Sequence, residues 1–282
     1  MQELKEKIAY IVFLSSACVC ILCVGLICFF LFSNGIPAIK QIGFSDFLLG
    51  DIWKPLDEEF GIFPMIIGSI YVTAGAIIFG VPIGVLSAVF LTHFCSDKIA
   101  KILNPAINLL AGIPSIVYGF FGLVVFVPLI QNIFGTSGKG VLCASLLLGI
   151  MILPTIISIS KAAIEAVPKN YYEGALALGA SHERSVFFIL LPAAKSGILT
   201  SIILGIGRAI GETMAVIMIA GNQAIIPQSI LDGVRTLTAN IVLEMGYATD
   251  LHREALLGTA VVLFVFILII NLLFSLINKG VK

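Results

Sequence analysis

Long apolar runs separated by short charged clusters dominate the chain. A membrane-crossing helix needs roughly 20 apolar residues at about 1.5 Å rise each. Six runs meet that length: Ile8–Phe32, Ile62–Phe94, Ala106–Ile130, Gly140–Ser160, Ser196–Ala220 and Ala255–Ile277. Strands of a membrane barrel are much shorter and alternate every second residue, a pattern these runs lack. Ile62–Phe94 exceeds a bilayer's needs, so it extends past the membrane or bends at Pro82. Pro114 and Pro128 fall in the third run and Pro154 in the fourth, while the fifth carries Arg208 and Glu212. The pattern predicts an all-α membrane protein with six transmembrane helices in one domain over residues 1–282. Its long connections are 33–61, 161–195 and 222–254.

Composition agrees. Hydrophobic residues make up 59% and charged residues 11% of the 282, and mean hydropathy is +1.13. A soluble domain runs at about 45–50% apolar and about 25% charged. Net charge is zero, so no bulk basic surface invites nucleic acid. Position makes the charges informative. With the N-terminus inside, Lys5, Lys7, Lys98, Lys101, Lys161, Lys169, Arg184, Lys195, Lys279 and Lys282 are cytoplasmic. Lys40, Lys54, Lys139, Arg235 and Arg253 are then outside. Because Lys and Arg concentrate in cytoplasmic connections, both termini are expected in the cytoplasm. Lys5 and Lys7 before an apolar run mimic a secretory leader, but that run is 25 residues long against about 7–15 for a leader core. It reads as an uncleaved first span.

Few other chemistries have their parts. The six cysteines lack zinc-site spacing and read as small apolar residues. His93, His182 and His252 lie far apart at or beyond span ends and read as surface residues. The Gly138-Lys139 pair has Ile133 where a phosphate-binding loop needs its first glycine, so any ATP must be bound by another chain. Gly80 with Gly84, and Gly207 with Gly211, have the spacing of close helix packing.

The inner connection 161–195 carries the most specific signal. It reads Glu173-Gly174-Ala175, three residues, Gly179, nine residues, then Ile189-Leu190-Leu191-Pro192. Small residues let a short helix seat closely in a partner's groove, and Gly179 can end that helix in a left-handed conformation. A connector lying on the bilayer would instead need a basic, strongly amphipathic face. The run resembles the E-A-A-x3-G-x9-I-x-L-P signature of permease subunits of bacterial ABC importers, with Gly174 in place of the first alanine. The resemblance implies that Glu173, Gly174, Ala175, Gly179, Ile189, Leu191 and Pro192 couple the chain to an ATPase.

Further stretches narrow the resemblance. Gly61-Ile62-Phe63-Pro64-Met65-Ile66, Ala111-Gly112-Ile113-Pro114-Ser115-Ile116-Val117-Tyr118-Gly119 and Arg208-Ala209-Ile210-Gly211-Glu212-Thr213-Met214 are similar to PstC-type permease subunits of bacterial high-affinity phosphate importers. So are Arg235-Thr236-Leu237-Thr238 and Glu244-Met245. The similarity runs from about residue 60 to the end. It implies a type I ABC importer permease fold in the bacterial cell membrane and transport of inorganic phosphate into the cytoplasm. Implied partners are a PstA-like permease subunit, two ATPase subunits using ATP and Mg, an extracytoplasmic phosphate-binding protein and membrane lipid. The chain itself is expected to be no enzyme and to hold no cofactor.

Arg208 and Glu212 are the candidate chemistry within the membrane. A charge at a helix centre costs roughly 2.5–3.5 kcal/mol on insertion scales. On a continuous helix their i, i+4 spacing places them on one face, where they can pair. With Ser115, Tyr118 and Thr213 they form the expected substrate path. Two other readings compete: a permease for another oxyanion such as sulfate or molybdate, and an ion-coupled carrier or anion channel. A carrier often shows repeated halves with matching helix breaks, no such repeat is visible, and a carrier has no use for the 173–192 run.

Overall fold

The computed structural model describes residues 2–279. A long first helix, α1 (Gln2–Ile42), leads to a short α2 (Phe44–Leu49). Next comes a small hairpin of β1 (Trp53–Lys54) and β2 (Glu59–Phe60), antiparallel with Trp53 opposite Phe60. Helix α3 (Phe63–Val89) ends in a π turn, Phe90–Phe94. Helices α4 (Asp97–Gly112), α5 (Ser115–Phe121) and α6 (Val127–Phe134) follow, with a π turn at Gly122–Phe126 between the last two. Helix α7 spans Val141–Glu165. The connection after it holds α8 (Lys169–Ala177), α9 (His182–Ser185), a π turn at Val186–Leu190 and α10 (Leu191–Ala193). Helices α11 (Lys195–Gly211), α12 (Met214–Ile219), α13 (Leu237–Glu244) and α14 (Asp250–Lys279) complete the fold.

Five continuous helical stretches are long and apolar enough to cross a membrane, and the pair His182–Ala193 plus Lys195–Gly211, bent by 69°, makes up to six. Alternating passes put α8 on the same side as the start of α1 and the end of α14. That side is called inner below, following the lysine and arginine asymmetry. Lys282, one of the basic residues expected there, lies outside the described residues.

Helices α3 and α7 form the central pair, and glycine lets them approach. A methyl group at Gly80 would sit 2.8 Å from the Gly149 carbonyl oxygen, and one at Gly84 would sit 2.7 Å from Ile156 Cγ2. Lacking a hydrophobic drive between helices, membrane bundles rely on such contacts and on interhelical hydrogen bonds. Ser145 Oγ donates to the Val72 carbonyl at 3.2 Å, and Ser160 and Ser201 share a hydrogen bond of 2.7 Å between α7 and α11. Gly207 and Gly211, expected to pack likewise, have nothing within 4 Å of an added Cβ. Their face of α11 is open in this chain.

Three buried clusters stack along the bundle. The outer one gathers Phe47, Trp53, Phe60, Ile62 and Met65. The middle one includes Leu147, Met151, Ile152 and Ile219. The inner one holds Leu91, Ile164, Val186 and Leu190. Helix α1 leans on α14 at the periphery, with its apolar side chains exposed as a lipid-facing helix requires.

Several expected boundaries move. The first span continues through Ile42, so the outer connection is shorter than 33–61. Pro82 does not interrupt α3, which runs unbroken from Phe63 to Val89. The 106–130 run is not one helix, because it straddles a break between α4 and α5. Helix α7 runs on to Glu165, five residues into the expected loop. The 196–220 run breaks after Gly211.

Candidate functional site

Two helix breaks are neighbours, one just before the third candidate span and one after Gly211 in the fifth run. At the first, Pro114 has no N–H and disfavours a helical conformation in the residue before it. Ile113 is accordingly extended, at φ −70° and ψ 127°. In the fifth, Glu212 is extended at φ −70° and ψ 130°. Helices α5 and α12, which restart after these breaks, pack together so closely that a Cβ at Gly119 would lie 2.9 Å from Ala215 Cα. Ser115 and Thr213 thus open two adjacent half-helices. Non-helical backbone at membrane depth persists only where protein buries it or a cavity is lined, and transporters use such discontinuous helices at their midplane sites.

The break separates Arg208 from Glu212. A continuous helix would bring them onto one face, but Glu212 lies beyond the end of α11. Its Oε1 accepts from the backbone N–H groups of Thr213 (3.2 Å) and Ala215 (3.4 Å), capping α12. Arg208 Nη1 instead donates to Thr155 Oγ1 at 3.1 Å, on α7. The expected pair is therefore not formed. Both side chains are half-buried, so the guanidinium retains donors for a further acceptor.

Tyr118 lies beside the first break. It is 6% exposed, and its hydroxyl donates to the Leu110 carbonyl at 2.9 Å. That bond spans the Ile113–Pro114 break and ties α5 to α4. The Tyr118 hydroxyl is engaged in holding the break. Ser115 is half-buried at the break, and Thr213 Oγ1 donates to the Gly211 carbonyl at 3.2 Å.

The inner connection folds as its small residues suggest. Helix α8 ends at Gly179, which takes φ +86°. The Gly179 N–H reaches the Leu176 carbonyl at 2.9 Å, and the Ala180 N–H reaches Ala175 at 3.1 Å. This is the paired closure of a glycine-terminated helix. Ala175 is buried against the bundle, while Glu173, Gly174 and Gly179 are exposed and Leu178 is 91% exposed. Ile189 lies half-buried in the π turn, Leu191 half-buried in α10, and Pro192 exposed in its first turn, where a missing N–H costs nothing.

The histidines are not surface residues. His182 Nδ1 shares a hydrogen bond of 2.7 Å with the Tyr172 hydroxyl, and its Nε2 lies 3.0 Å from the His93 carbonyl. The second span is thereby linked to α8 through α9. His252 sits in a buried outer network with Glu244 at its centre. Glu244 accepts from Arg235 Nη1 at 2.6 Å, from Trp53 Nε1 at 2.8 Å, and lies 2.9 Å from His252 Nε2. Sequence reading gave this network no role, because its members span the chain from 53 to 252. The available signal was the only tryptophan in an acid-rich outer loop. Among the described residues no group of three or more His, Cys, Asp or Glu could hold a metal ion.

Residues 80–282 match the family of the binding-protein-dependent transport system inner membrane component. A probable ABC transporter permease protein, YqgH, of Bacillus subtilis is 40% identical over 87% of this chain and 83% of its own length. The phosphate transport system permease protein PstC of Mesorhizobium japonicum is 35% identical over 85% and 80% respectively. PstC of Haemophilus influenzae is 36% identical over 81% and 78%. Among solved structures, a chain of the inward-facing MetNI methionine ABC transporter superposes with a TM-score of 0.62 at 21% identity. It covers 82% of this chain and 100% of that one, and establishes the fold alone.

Proposed function

The chain belongs to the family of binding-protein-dependent transport system inner membrane components, and we propose that it is the multi-pass membrane subunit through which an ATP-driven importer carries inorganic phosphate into the cytoplasm. The substrate follows from its likeness to PstC-type permeases across most of both chains. One observation carries the mechanism: a single arginine, Arg208, stands within the membrane one turn below a break in its own span.

At that depth an uncompensated cation is costly, and a passing oxyanion is a fitting transient partner. The guanidinium forks to two oxygens of phosphate while Thr155 fixes its direction. Glu212 Oε1 is occupied by the start of α12, so Oε2 is the atom that accepts from a protonated phosphate. Its negative charge keeps Arg208 from holding the anion too tightly, since conduction requires binding weak enough for release. Ser115 and Thr213 line the same opening.

The energy enters from below. Helix α8 presents Glu173, Gly174, Leu178 and Gly179 to a groove of an ATPase subunit. Ala175 and the Tyr172–His182 bond transmit its movement to the bundle. Two ATPase subunits bind and hydrolyse ATP with Mg. A PstA-like subunit completes the pore, and an extracytoplasmic phosphate-binding protein delivers from outside.

Uptake of radiolabelled phosphate by vesicles, with co-purification of the ATPase, tests the reading. Uptake requires ATP, and excess sulfate leaves it unchanged. Uptake driven by an ion gradient without ATP would indicate a carrier, and competition by sulfate or molybdate would move the substrate to another oxyanion.

A further inference from the structure

Helix α13 is held at both ends by polar groups from distant parts of the chain. At its C-terminal end, Glu244 is 7% exposed and joins Trp53 of the hairpin, Arg235 of the preceding loop and His252 of α14. At its N-terminal end, Thr238 Oγ1 donates to the Glu212 carbonyl at 3.1 Å, within the break of the fifth span. The Leu237 N–H donates to Ser69 Oγ of α3 at 3.0 Å. One short helix thus connects the outer hairpin to the backbone of Glu212. The tie is buried, and a buried charge stripped of one partner is strongly destabilised, so Glu244 keeps hairpin and helix together.

The network is also incomplete. Arg235 donates to the Asn222 carbonyl and to Asn240 Oδ1, both at 3.0 Å. Asn222 Oδ1 and Asn240 Nδ2, on two residues that Arg235 bonds, are buried without partners. Buried polar atoms are nearly always satisfied, so one acceptor and one donor of this network are left over.

We infer that α13 is a strut whose position, set by Glu244 at its outer end, fixes the Glu212 break through Thr238, so that movement of the outer hairpin opens or closes the path. Glu244 and Thr238 are positioning residues for transport and do not touch the substrate. The inference rests on the path reading above.

The test uses whole complexes in proteoliposomes with phosphate-loaded binding protein, measuring phosphate carried per ATP hydrolysed. Thr238→Val removes only the hydroxyl and lowers that ratio roughly fivefold or more, the scale of ordinary coupling between sites. Thr238→Ser restores it. Glu244→Gln causes the same loss, and the double variant is no worse than either single one, because both cut the same strut. A purely structural role lowers the yield of assembled complex but leaves the ratio per complex at the wild-type value, and that result overturns the strut. Should Glu244→Gln fail to assemble, the Thr238 valine and serine pair decides alone. Arg208→Gln in the same assay separates the two readings. If Arg208→Gln loses uptake while Thr238→Val stays coupled, the strut alone is wrong. If Arg208→Gln transports normally, the path reading is wrong.

Discussion

Arg208 reaches across to Thr155 on the neighbouring helix, at 3.1 Å, rather than to Glu212 four residues further along its own chain. The interruption after Gly211 turns Glu212 toward the start of α12. Two charges that a continuous helix would have paired are thereby kept apart. Removing the guanidinium should then remove the anion's partner without removing a local ion pair. Arg208→Gln is expected to lower phosphate uptake by about 10- to 100-fold, the loss of a charge-assisted hydrogen bond of roughly 1.5–3 kcal/mol. The ATPase should still co-purify. Thr155→Val frees the guanidinium to wander and is expected to raise KM by about three- to tenfold. Uptake kinetics in vesicles check both.

The separation of these residues was not legible in the sequence, and the reason is physical. Run length reports burial in lipid, so the apolar stretches alone point to six spans, against five continuous candidate spans and one bent pair in the structure. Run length is blind to where backbone hydrogen bonds stop. Gly211-Glu212-Thr213 sits inside an otherwise helical run, and the break is tolerated because side chains satisfy its backbone: the Glu212 carboxylate takes the N–H groups of Thr213 and Ala215, and Thr213 and Thr238 hydroxyls take the Gly211 and Glu212 carbonyls. Pro114 gave a visible warning in the third span, yet the bond from Tyr118 to Leu110 that stabilises its break could not be seen. The glycine-ended helix α8 was readable because small residues and a terminating Gly179 are local signals. The Glu244 network was not, because Trp53 and Glu244 lie 191 positions apart.

The left-handed turn at Gly179 supplies a test of coupling. A side chain there is strained by roughly 1–2 kcal/mol and projects into the space an ATPase groove would fill, since nothing in this chain lies within 4 Å of an added Cβ. Gly179→Leu is expected to leave the protein in the membrane while substrate-stimulated ATP hydrolysis and uptake fall together. Glu173→Lys, on the exposed face of α8, should weaken docking more than folding. Normal transport by assembled Gly179→Leu complexes would count against α8 as the coupling element.

Orientation can be checked with thiol chemistry. In a cysteine-free background, single cysteines at Asp57 and Lys169 sit on opposite sides of the bundle, one beside the outer hairpin and one at the start of α8. An impermeant maleimide applied to intact cells should label the first and spare the second until the membrane is opened. Labelling of Lys169→Cys from outside would invert the topology.

The glycines divide into two kinds, and substitution should separate them. Gly84 is closed in by Ile156, with an added Cβ only 2.7 Å from its Cγ2. A larger side chain must push α3 and α7 apart, and overpacking of that sort costs typically about 1–3 kcal/mol. Gly207 lies on the open side of α11, with nothing within 4 Å of an added Cβ. Within this chain a larger side chain there meets no obstacle. If that open face receives a second permease subunit, the obstacle arises only on assembly. Gly84→Leu is therefore expected to reduce the amount of this chain in the membrane whether or not its partners are present. Gly207→Leu should accumulate to wild-type levels when expressed alone and fail to co-purify with a PstA-like subunit. Membrane abundance by immunoblot, with and without the partner, distinguishes the two. Unimpaired assembly by Gly207→Leu would show that this side of α11 faces lipid or the path rather than a neighbouring subunit.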